Sequence, residues 1–182
     1  MTLVDLSMKK PPIVSVVALS GTGKTTLLEK LIAGFKQKGY RVGALKHDAH
    51  RFDIDHKNKD SWRMTQAGAD TMVITSREKL AMVKINQAVE EPSVDEMVDR
   101  YFTDVDLVLT EGFKGNTFPK IEVHRKEKNE KLLCRGDVHD KTLLAVASDE
   151  PLALDVPVFH IDDAQGLCDF IEQRFLKNYR EF

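Results

Sequence analysis

The chain has 182 residues, 42% of them hydrophobic and 31% charged, with a formal net charge of -2. This balance is typical of a globular protein with one domain, and it excludes a general nucleic-acid binder, which would carry a strongly basic surface. No hydrophobic run approaches the ~20 residues of a membrane helix, and Cys134 and Cys168 lie in no C-x-x-C motif, so we expect a cytoplasmic protein with reduced thiols and no membrane partner.

The hydrophobic pattern predicts a strand, a helix and a second strand near the amino terminus. After a short flexible lead-in over residues 1–12, residues 13–19 form an apolar run rich in β-branched residues, which is typical of a buried parallel strand. A glycine-rich turn then leads into an amphipathic helix that Gly39 ends, and residues 41–47 predict the next strand. This order is a βαβ unit.

Strands and helices continue to alternate along the rest of the chain. A helix is predicted from about Asp60 to Gly68, then a hairpin over residues 71–85, and the capping box of Ser93 and Glu96 begins another helix. Further strands are predicted at residues 106–112, 120–125, 142–148 and 156–160, before a terminal amphipathic helix. The alternation indicates an α/β sheet covered on both faces.

The segment ALSGTGKTTL is similar to the phosphate-binding loop G-x-x-x-x-G-K-[ST], with Ala18 in place of the first glycine. Glycines at 21 and 23 allow backbone N–H groups to converge on phosphate oxygens, and the helix that follows adds its positive dipole end. Lys24 is predicted to bridge the β- and γ-phosphates, and the Thr25 hydroxyl to bind Mg²⁺. The predicted nucleotide-binding residues of this loop are Ser20, Gly21, Thr22, Gly23, Lys24, Thr25 and Thr26.

This loop also defines the expected fold class. We predict one P-loop nucleotide-binding domain over residues 13–182, built as a three-layer α/β sandwich of the P-loop NTPase type. Its sheet is expected to be mostly parallel. The hairpin and the alternating segment KIEVHR, residues 120–125, are expected to extend it as antiparallel and half-exposed strands.

A phosphate loop needs a nearby carboxylate to hold Mg²⁺ or its waters. Glu111 lies at the carboxyl end of a predicted buried strand, which is where ligands bind in α/β sheets. We predict that Glu111 serves the metal or orients a water, and that Lys24 and Glu111 are the catalytic residues.

The polar segment KHDAHRFDIDHKNKDSWR contains several possible metal ligands. His47, His50 and His56, with Asp53 and Asp55, could form a transition-metal site, although an H-x-x-H spacing alone is weak. A loop that closes over the phosphates and Mg²⁺, with Asp55 as a metal ligand, is favoured. A loop that is merely solvated stays open as an alternative.

Recognition of the base would need a carboxylate that accepts hydrogen bonds from N1–H and the 2-amino group of guanine. Ser148 and Asp149 follow a late strand in AVASDEP and are the predicted base-recognition residues, expected beside the strand of the phosphate loop. The alternative is that this segment forms only a turn.

Taken in order, these segments resemble one known family, the molybdopterin-guanine dinucleotide biosynthesis adaptor (MobB) family. The matching segments are SGTGKTTLLEKLI, KHDAHRFDIDHKNKDSWR with the AGA after it, DLVLTEGFK, PKIEVHR and AVASDEP, which span residues 13–151. The resemblance implies a homodimeric GTP-binding protein that uses Mg²⁺ and has weak GTPase activity. It also implies a partner enzyme, the guanylyltransferase that joins GMP to molybdopterin.

The resemblance leaves the molybdopterin site and two other functions open. Lys114, Lys120 and Arg125 are cations that could face a pterin phosphate, or they could be ordinary surface cations. The alternatives are a nickel-delivery GTPase, which the histidine-bearing loop favours, and a P-loop small-molecule kinase. The kinase is disfavoured because only Arg51 and Arg63 are expected near the phosphates.

Overall fold

The computed structural model describes residues 10–47, 52–88, 91–113, 115–128 and 131–177. The elements in these ranges are β1 (Ile13–Val17), α1 (Lys24–Gln37), β2 (Val42–Lys46), α2 (Asp60–Gln66), β3 (Thr71–Thr75), β4 (Leu80–Lys84), α3 (Val94–Tyr101), β5 (Leu107–Glu111), β6 (Lys120–His124), β7 (Leu143–Ser148), β8 (Val158–His160) and α4 (Ala164–Ile171), which a π-helical turn continues over Glu172–Leu176. Within these ranges, no helix is long and apolar enough to cross a bilayer.

The chain divides into two compact units. The first comprises residues 1–47 and 94–182, and the second comprises residues 48–93. The single domain expected over residues 13–182 stays a prediction.

The first unit contains a six-stranded sheet in the order β2-β5-β1-β6-β7-β8, and all its strand pairs are parallel. One hydrophobic cluster joins the sheet to α1 and α4, and a second joins the opposite face to α3. This confirms the predicted three-layer α/β sandwich with a mostly parallel sheet. The carboxyl ends of the strands meet at one edge, where ligands bind in such sheets.

Helix α1 shows how the local sequence builds this core. Its hydrophobic residues Leu27, Leu28, Leu31 and Phe35 recur at helical spacing and are all buried. The helix stops where Gly39 adopts a left-handed conformation, with φ 81°, as the sequence predicts.

The prediction for KIEVHR is wrong. Strand β6 is parallel, lies between β1 and β7, and is buried at all five residues. Two of its polar side chains, Lys120 and Glu122, are buried because the loop over residues 131–142 supplies partners for them. The Lys120 ammonium lies 3.0 Å from Asp140, and the Glu122 carboxylate accepts hydrogen bonds from the backbone N–H groups of Leu133 (2.6 Å) and Cys134 (2.9 Å).

The second unit contains α2 and the hairpin of β3 and β4. Thr71 pairs with Lys84 and Thr75 with Leu80, so the predicted hairpin is present. It forms a two-stranded sheet of its own, and the expectation that antiparallel strands extend the main sheet is wrong. The predicted end of α2 is confirmed, since Gly68 follows it with φ 104°.

Candidate functional site

The phosphate-loop motif forms a tight turn between β1 and α1. Gly21 and Gly23 have φ values of 75° and 105°, which side chains with a Cβ rarely adopt. The buried Thr22 hydroxyl donates to the Leu19 carbonyl at 2.9 Å and closes the turn. Ala18 is fully buried and is not among the described residues with positive φ, which explains why alanine can replace the first glycine of the motif.

The side chain of Lys24 folds back over this loop. Its ammonium donates to the carbonyls of Ala18 at 3.3 Å and Leu19 at 3.0 Å. Ser20 and Thr26, which precede and follow Lys24 in the chain, are both exposed. A flexible ammonium in this position places a positive charge at the mouth of the loop, where an anionic ligand would sit.

Glu111 and Thr25 meet beside the loop. Strand β5 pairs with β1 so that Glu111 lies opposite Val16, and the Thr25 hydroxyl is 3.2 Å from each carboxylate oxygen of Glu111. A hydroxyl and a carboxylate at one point are oxygen donors that suit a hard cation such as Mg²⁺. Gly112 then turns the chain with φ 93°.

His47 lies at the end of β2, next to this pair. Its backbone N–H donates to the Glu111 carbonyl at 3.0 Å, and its ring packs on Phe113 with centroids 5.0 Å apart. His56 is exposed in the second unit, and His50 lies outside the described residues. Among the described residues, no group of three or more His, Cys, Asp or Glu side chains could hold a metal ion, so nothing there supports the transition-metal alternative.

Arg125 lies against the phosphate loop, directly after β6. Its Nε donates to the Thr22 carbonyl at 3.1 Å, and its Nη1 is 3.6 Å from Oδ2 of Asp149. The sequence singled out Arg125 only as a possible pterin ligand. Its place beside the loop follows from the position of β6 next to β1, which the sequence did not predict.

Asp149 lies directly after the carboxyl end of β7 and lines a cleft. Its Oδ1 accepts a hydrogen bond from the backbone N–H of Lys126 at 3.0 Å. The buried Ser148 hydroxyl accepts one from the backbone N–H of Glu150 at 3.1 Å and shapes the turn. Strand β6 separates β7 from β1, so the expectation that these residues follow a strand beside β1 is wrong.

The cleft itself has a volume of about 380 Å³ and lies between the ends of β7 and β8. It is lined by Ser148, Asp149, Glu150, Pro151, Leu152, Val158, Phe159 and His160. The pKa of Glu150 is lowered, first by its hydrogen bond with the buried His124. The lining of the cleft combines apolar side chains with the carboxylates of Asp149 and Glu150.

Asp55 belongs to the second unit. Its Oδ1 accepts hydrogen bonds from the backbone N–H of His56 at 2.8 Å and the Ser61 hydroxyl at 3.1 Å, so it fixes the start of α2. Its role as a Mg²⁺ ligand stays a prediction.

Lys120 is not a candidate pterin ligand. It is 1% exposed, lies at the amino end of β6, and is paired with Asp140. Lys114 and Arg51, which the sequence also singled out, lie outside the described residues.

We compared the sequence with known protein families and proteins, and the matches cover the segments that carry these motifs. A family described as Molybdopterin guanine dinucleotide synthesis protein B, MobB, matches residues 13–149. A molybdopterin-guanine dinucleotide biosynthesis adapter protein of Escherichia coli is 39% identical over 164 residues, which cover 88% of this chain and 91% of that protein. The protein of the same name from Haemophilus influenzae is 38% identical over 162 residues, which cover 88% of each.

Solved structures show the same fold. A structure of molybdopterin-guanine biosynthesis protein B has a TM-score of 0.71 at 30% identity, and the match covers 90% of this chain and 99% of that one. A structure of Bacillus subtilis MobB also has a TM-score of 0.71, at 25% identity, and covers 91% and 99% of the two chains.

Proposed function

The chain belongs to the MobB family, and from this we propose that it is a GTP-binding adapter in the biosynthesis of molybdopterin guanine dinucleotide, the guanine form of the molybdenum cofactor. It would assist a cytoplasmic guanylyltransferase that attaches GMP to molybdopterin. The observation that carries the GTP-binding part is the contact of Thr25 with Glu111 beside a glycine-rich phosphate loop.

The loop and the start of α1 would bind the phosphates. Backbone N–H groups of the loop and the unpaired N–H groups of the first helical turn would donate to the phosphate oxygens, and the helix dipole would add positive potential. The Lys24 ammonium would exchange its carbonyl acceptors, Ala18 and Leu19, for phosphate oxygens. This exchange is favourable because a charged acceptor forms the stronger hydrogen bond.

Thr25 and Glu111 would hold Mg²⁺. The ion, when bound, would neutralise charge on the phosphates. Glu111 would orient the attacking water for hydrolysis, and Lys24 would stabilise the charge that develops on the phosphate oxygens. We expect this hydrolysis to be slow, as it is in related nucleotide sites when no arginine finger is supplied.

The cleft between β7 and β8 would take the guanine base. Asp149 would accept hydrogen bonds from N1–H and the 2-amino group, a donor pair that adenine lacks. Phe159 and Pro151, which line the cleft, would cover the apolar faces of the ring. This arrangement supports a preference for GTP over ATP.

The hairpin supports a homodimer. The face that carries Val73 and Leu80 is open to solvent, with these two side chains 50% and 65% exposed. A two-stranded sheet is marginally stable alone, and exposed apolar strands tend to pair with another chain. We propose that a second copy of this chain covers this face.

A pull-down with the guanylyltransferase tests the adapter role. We expect the immobilised full-length protein to retain the purified enzyme more strongly with GTP and Mg²⁺ than with no nucleotide, and a Lys24→Ala variant to lose this GTP dependence. Absence of any retention, with or without GTP and molybdopterin, would overturn the proposal.

A further inference from the structure

We propose that Arg125 is a positioning residue that joins the phosphate loop to the carboxylate that recognises guanine. Through this one side chain, the selectivity for the base and the affinity for the phosphates become linked. The inference rests on the proposed GTP site and adds to it a residue that fixes how well the base is recognised.

One side of the Arg125 guanidinium is fixed to the phosphate loop. Its Nε donates to the Thr22 carbonyl at 3.1 Å. A Cβ placed on Gly23 would lie 3.9 Å from both Nε and Nη2, so the guanidinium packs directly on the last residue of the loop. Because Arg125 is hydrogen-bonded to the Thr22 carbonyl, it stabilises the turn whose N–H groups would bind an anion.

The other side of the guanidinium faces the base-recognition turn. Nη1 of Arg125 lies 3.6 Å from Oδ2 of Asp149, and the backbone N–H of Lys126 donates to Oδ1 of the same carboxylate at 3.0 Å. Of two consecutive residues after β6, Arg125 therefore forms an ion pair with one oxygen of Asp149 and Lys126 forms a hydrogen bond with the other. Contacts to both oxygens restrict the plane of the carboxylate, and bidentate recognition of a guanine edge depends on that plane.

Arginine suits this double role better than lysine does. Its guanidinium is rigid and planar and carries several donors, so it can contact a carbonyl and a carboxylate together, whereas a lysine ammonium acts as a point charge. The side chain is 37% exposed, which leaves the contact with Asp149 open to adjustment when a base enters the cleft.

The test compares GTP, ITP and inorganic triphosphate, each titrated with Mg²⁺ into the full-length protein. Inosine lacks the 2-amino group, so the ratio of GTP to ITP affinity reports one hydrogen bond to Asp149, and inorganic triphosphate reports the phosphate loop alone. We expect Arg125→Met to lower the GTP to ITP ratio by about tenfold, the effect of one hydrogen bond to a charged group. The affinity of Arg125→Met for inorganic triphosphate should also fall, while its melting temperature stays that of the wild type.

Two further variants separate this role from a general effect of charge or folding. Lys128→Met removes a cation from an exposed position in the same turn, and it should leave the ratio and the triphosphate affinity unchanged. In an Asp149→Asn background, Arg125→Met should no longer change the ratio of GTP to ITP affinity, because the carboxylate that Arg125 positions is already absent. It should still weaken triphosphate binding, because the contact of Arg125 with the phosphate loop is present in that background.

An unchanged GTP to ITP ratio in Arg125→Met would overturn the inference, as would equal losses for all three ligands together with a lowered melting temperature. Failure of the wild-type protein to bind GTP would instead overturn the proposed function itself. The wild-type titration therefore distinguishes the two failures.

Discussion

The hydroxyl of Thr25 lies 3.2 Å from both carboxylate oxygens of Glu111. This contact joins the first turn of α1 to the end of β5, which is distant from α1 in sequence but pairs in the sheet with β1, the strand that leads into α1. The contact places a hydroxyl and a carboxylate, two possible Mg²⁺ ligands, together beside the phosphate loop. The proposed Mg²⁺ site depends on this contact.

Glu111→Gln should weaken GTP binding only when Mg²⁺ is present. The amide keeps the shape of the side chain but removes the charge that would serve the metal, so we expect about a tenfold loss of affinity in Mg²⁺, as is typical when a group around a metal is changed. Isothermal titration with excess Mg²⁺ or excess EDTA measures the difference. An equal loss of GTP affinity in EDTA would show that Glu111 does not act through a metal. Glu127→Gln, which changes an exposed glutamate, is the control.

Asp149→Asn should change the preferred base from guanine to xanthine. An asparagine amide can donate to the carbonyl that xanthine carries in place of the 2-amino group, whereas it loses one acceptor for guanine. We expect GTP affinity to fall by about 10- to 100-fold, the range for a hydrogen bond to a charged group. XTP affinity should rise, with inorganic triphosphate unchanged. GTP affinity equal to that of the wild type would exclude Asp149 from base recognition.

Asp140→Asn should destabilise the protein at neutral pH but much less in acid. Burial alone would raise the pKa of Asp140, but hydrogen bonds from Thr142 and from the buried Lys120 outweigh it and lower the pKa to about 2, from 3.8. Because the folded pKa is the lower one, the wild type gains stability above about pH 4 and loses it as the pH falls toward 2.

We expect a loss of about 1–2 kcal/mol at pH 7, after allowing for the partial exposure of Asp140. Urea denaturation at pH 7 and at pH 2.5 measures it. Asp137→Asn is the matched control, since it removes an exposed ion pair with Lys131 from the same loop and should cost little. An equal loss at both pH values would contradict the assignment of the effect to the charge of Asp140.

Leu80→Glu should convert the proposed dimer into a monomer. The substitution places a charge on the open face of the hairpin, where the partner chain would bury it. Light scattering after size-exclusion chromatography gives the mass. Val138→Glu is the control. Val138 is 64% exposed, nearly the same as Leu80 at 65%, but it lies in the first unit and not on the hairpin, so its substitution should leave the dimer intact. A wild-type protein that is monomeric would exclude the dimer.

The phosphate loop could be predicted from sequence because its chemistry is local. The strand, the glycines with positive φ and the amphipathic helix are adjacent in the chain, and each follows from the residue types present. Glu111 was also predictable, since it ends a continuous buried strand and such ends meet at the ligand edge.

Strand β6 could not be predicted because its environment is not local. Lys120 and Glu122 alternate with hydrophobic residues as in a half-exposed strand, yet their partners come from residues 131–142. The alternation of polar and hydrophobic residues shows which side chains are polar but not whether they are buried. A buried polar side chain with a partner distant in sequence therefore gives the same alternating pattern as an exposed one. The role of Arg125 was hidden for the same reason, since it depends on β6 lying next to β1.

Titration of GTP and of ATP, with Mg²⁺, into the wild-type protein and a Lys24→Ala variant is the most direct test of the GTP site. We expect the wild type to bind GTP stoichiometrically and ATP much more weakly. The variant should lose about 100-fold in GTP affinity, as when one partner of a buried charge pair is removed, while its melting temperature is unchanged. Unchanged GTP affinity in Lys24→Ala would contradict the site, and ATP bound as tightly as GTP would contradict the choice of nucleotide.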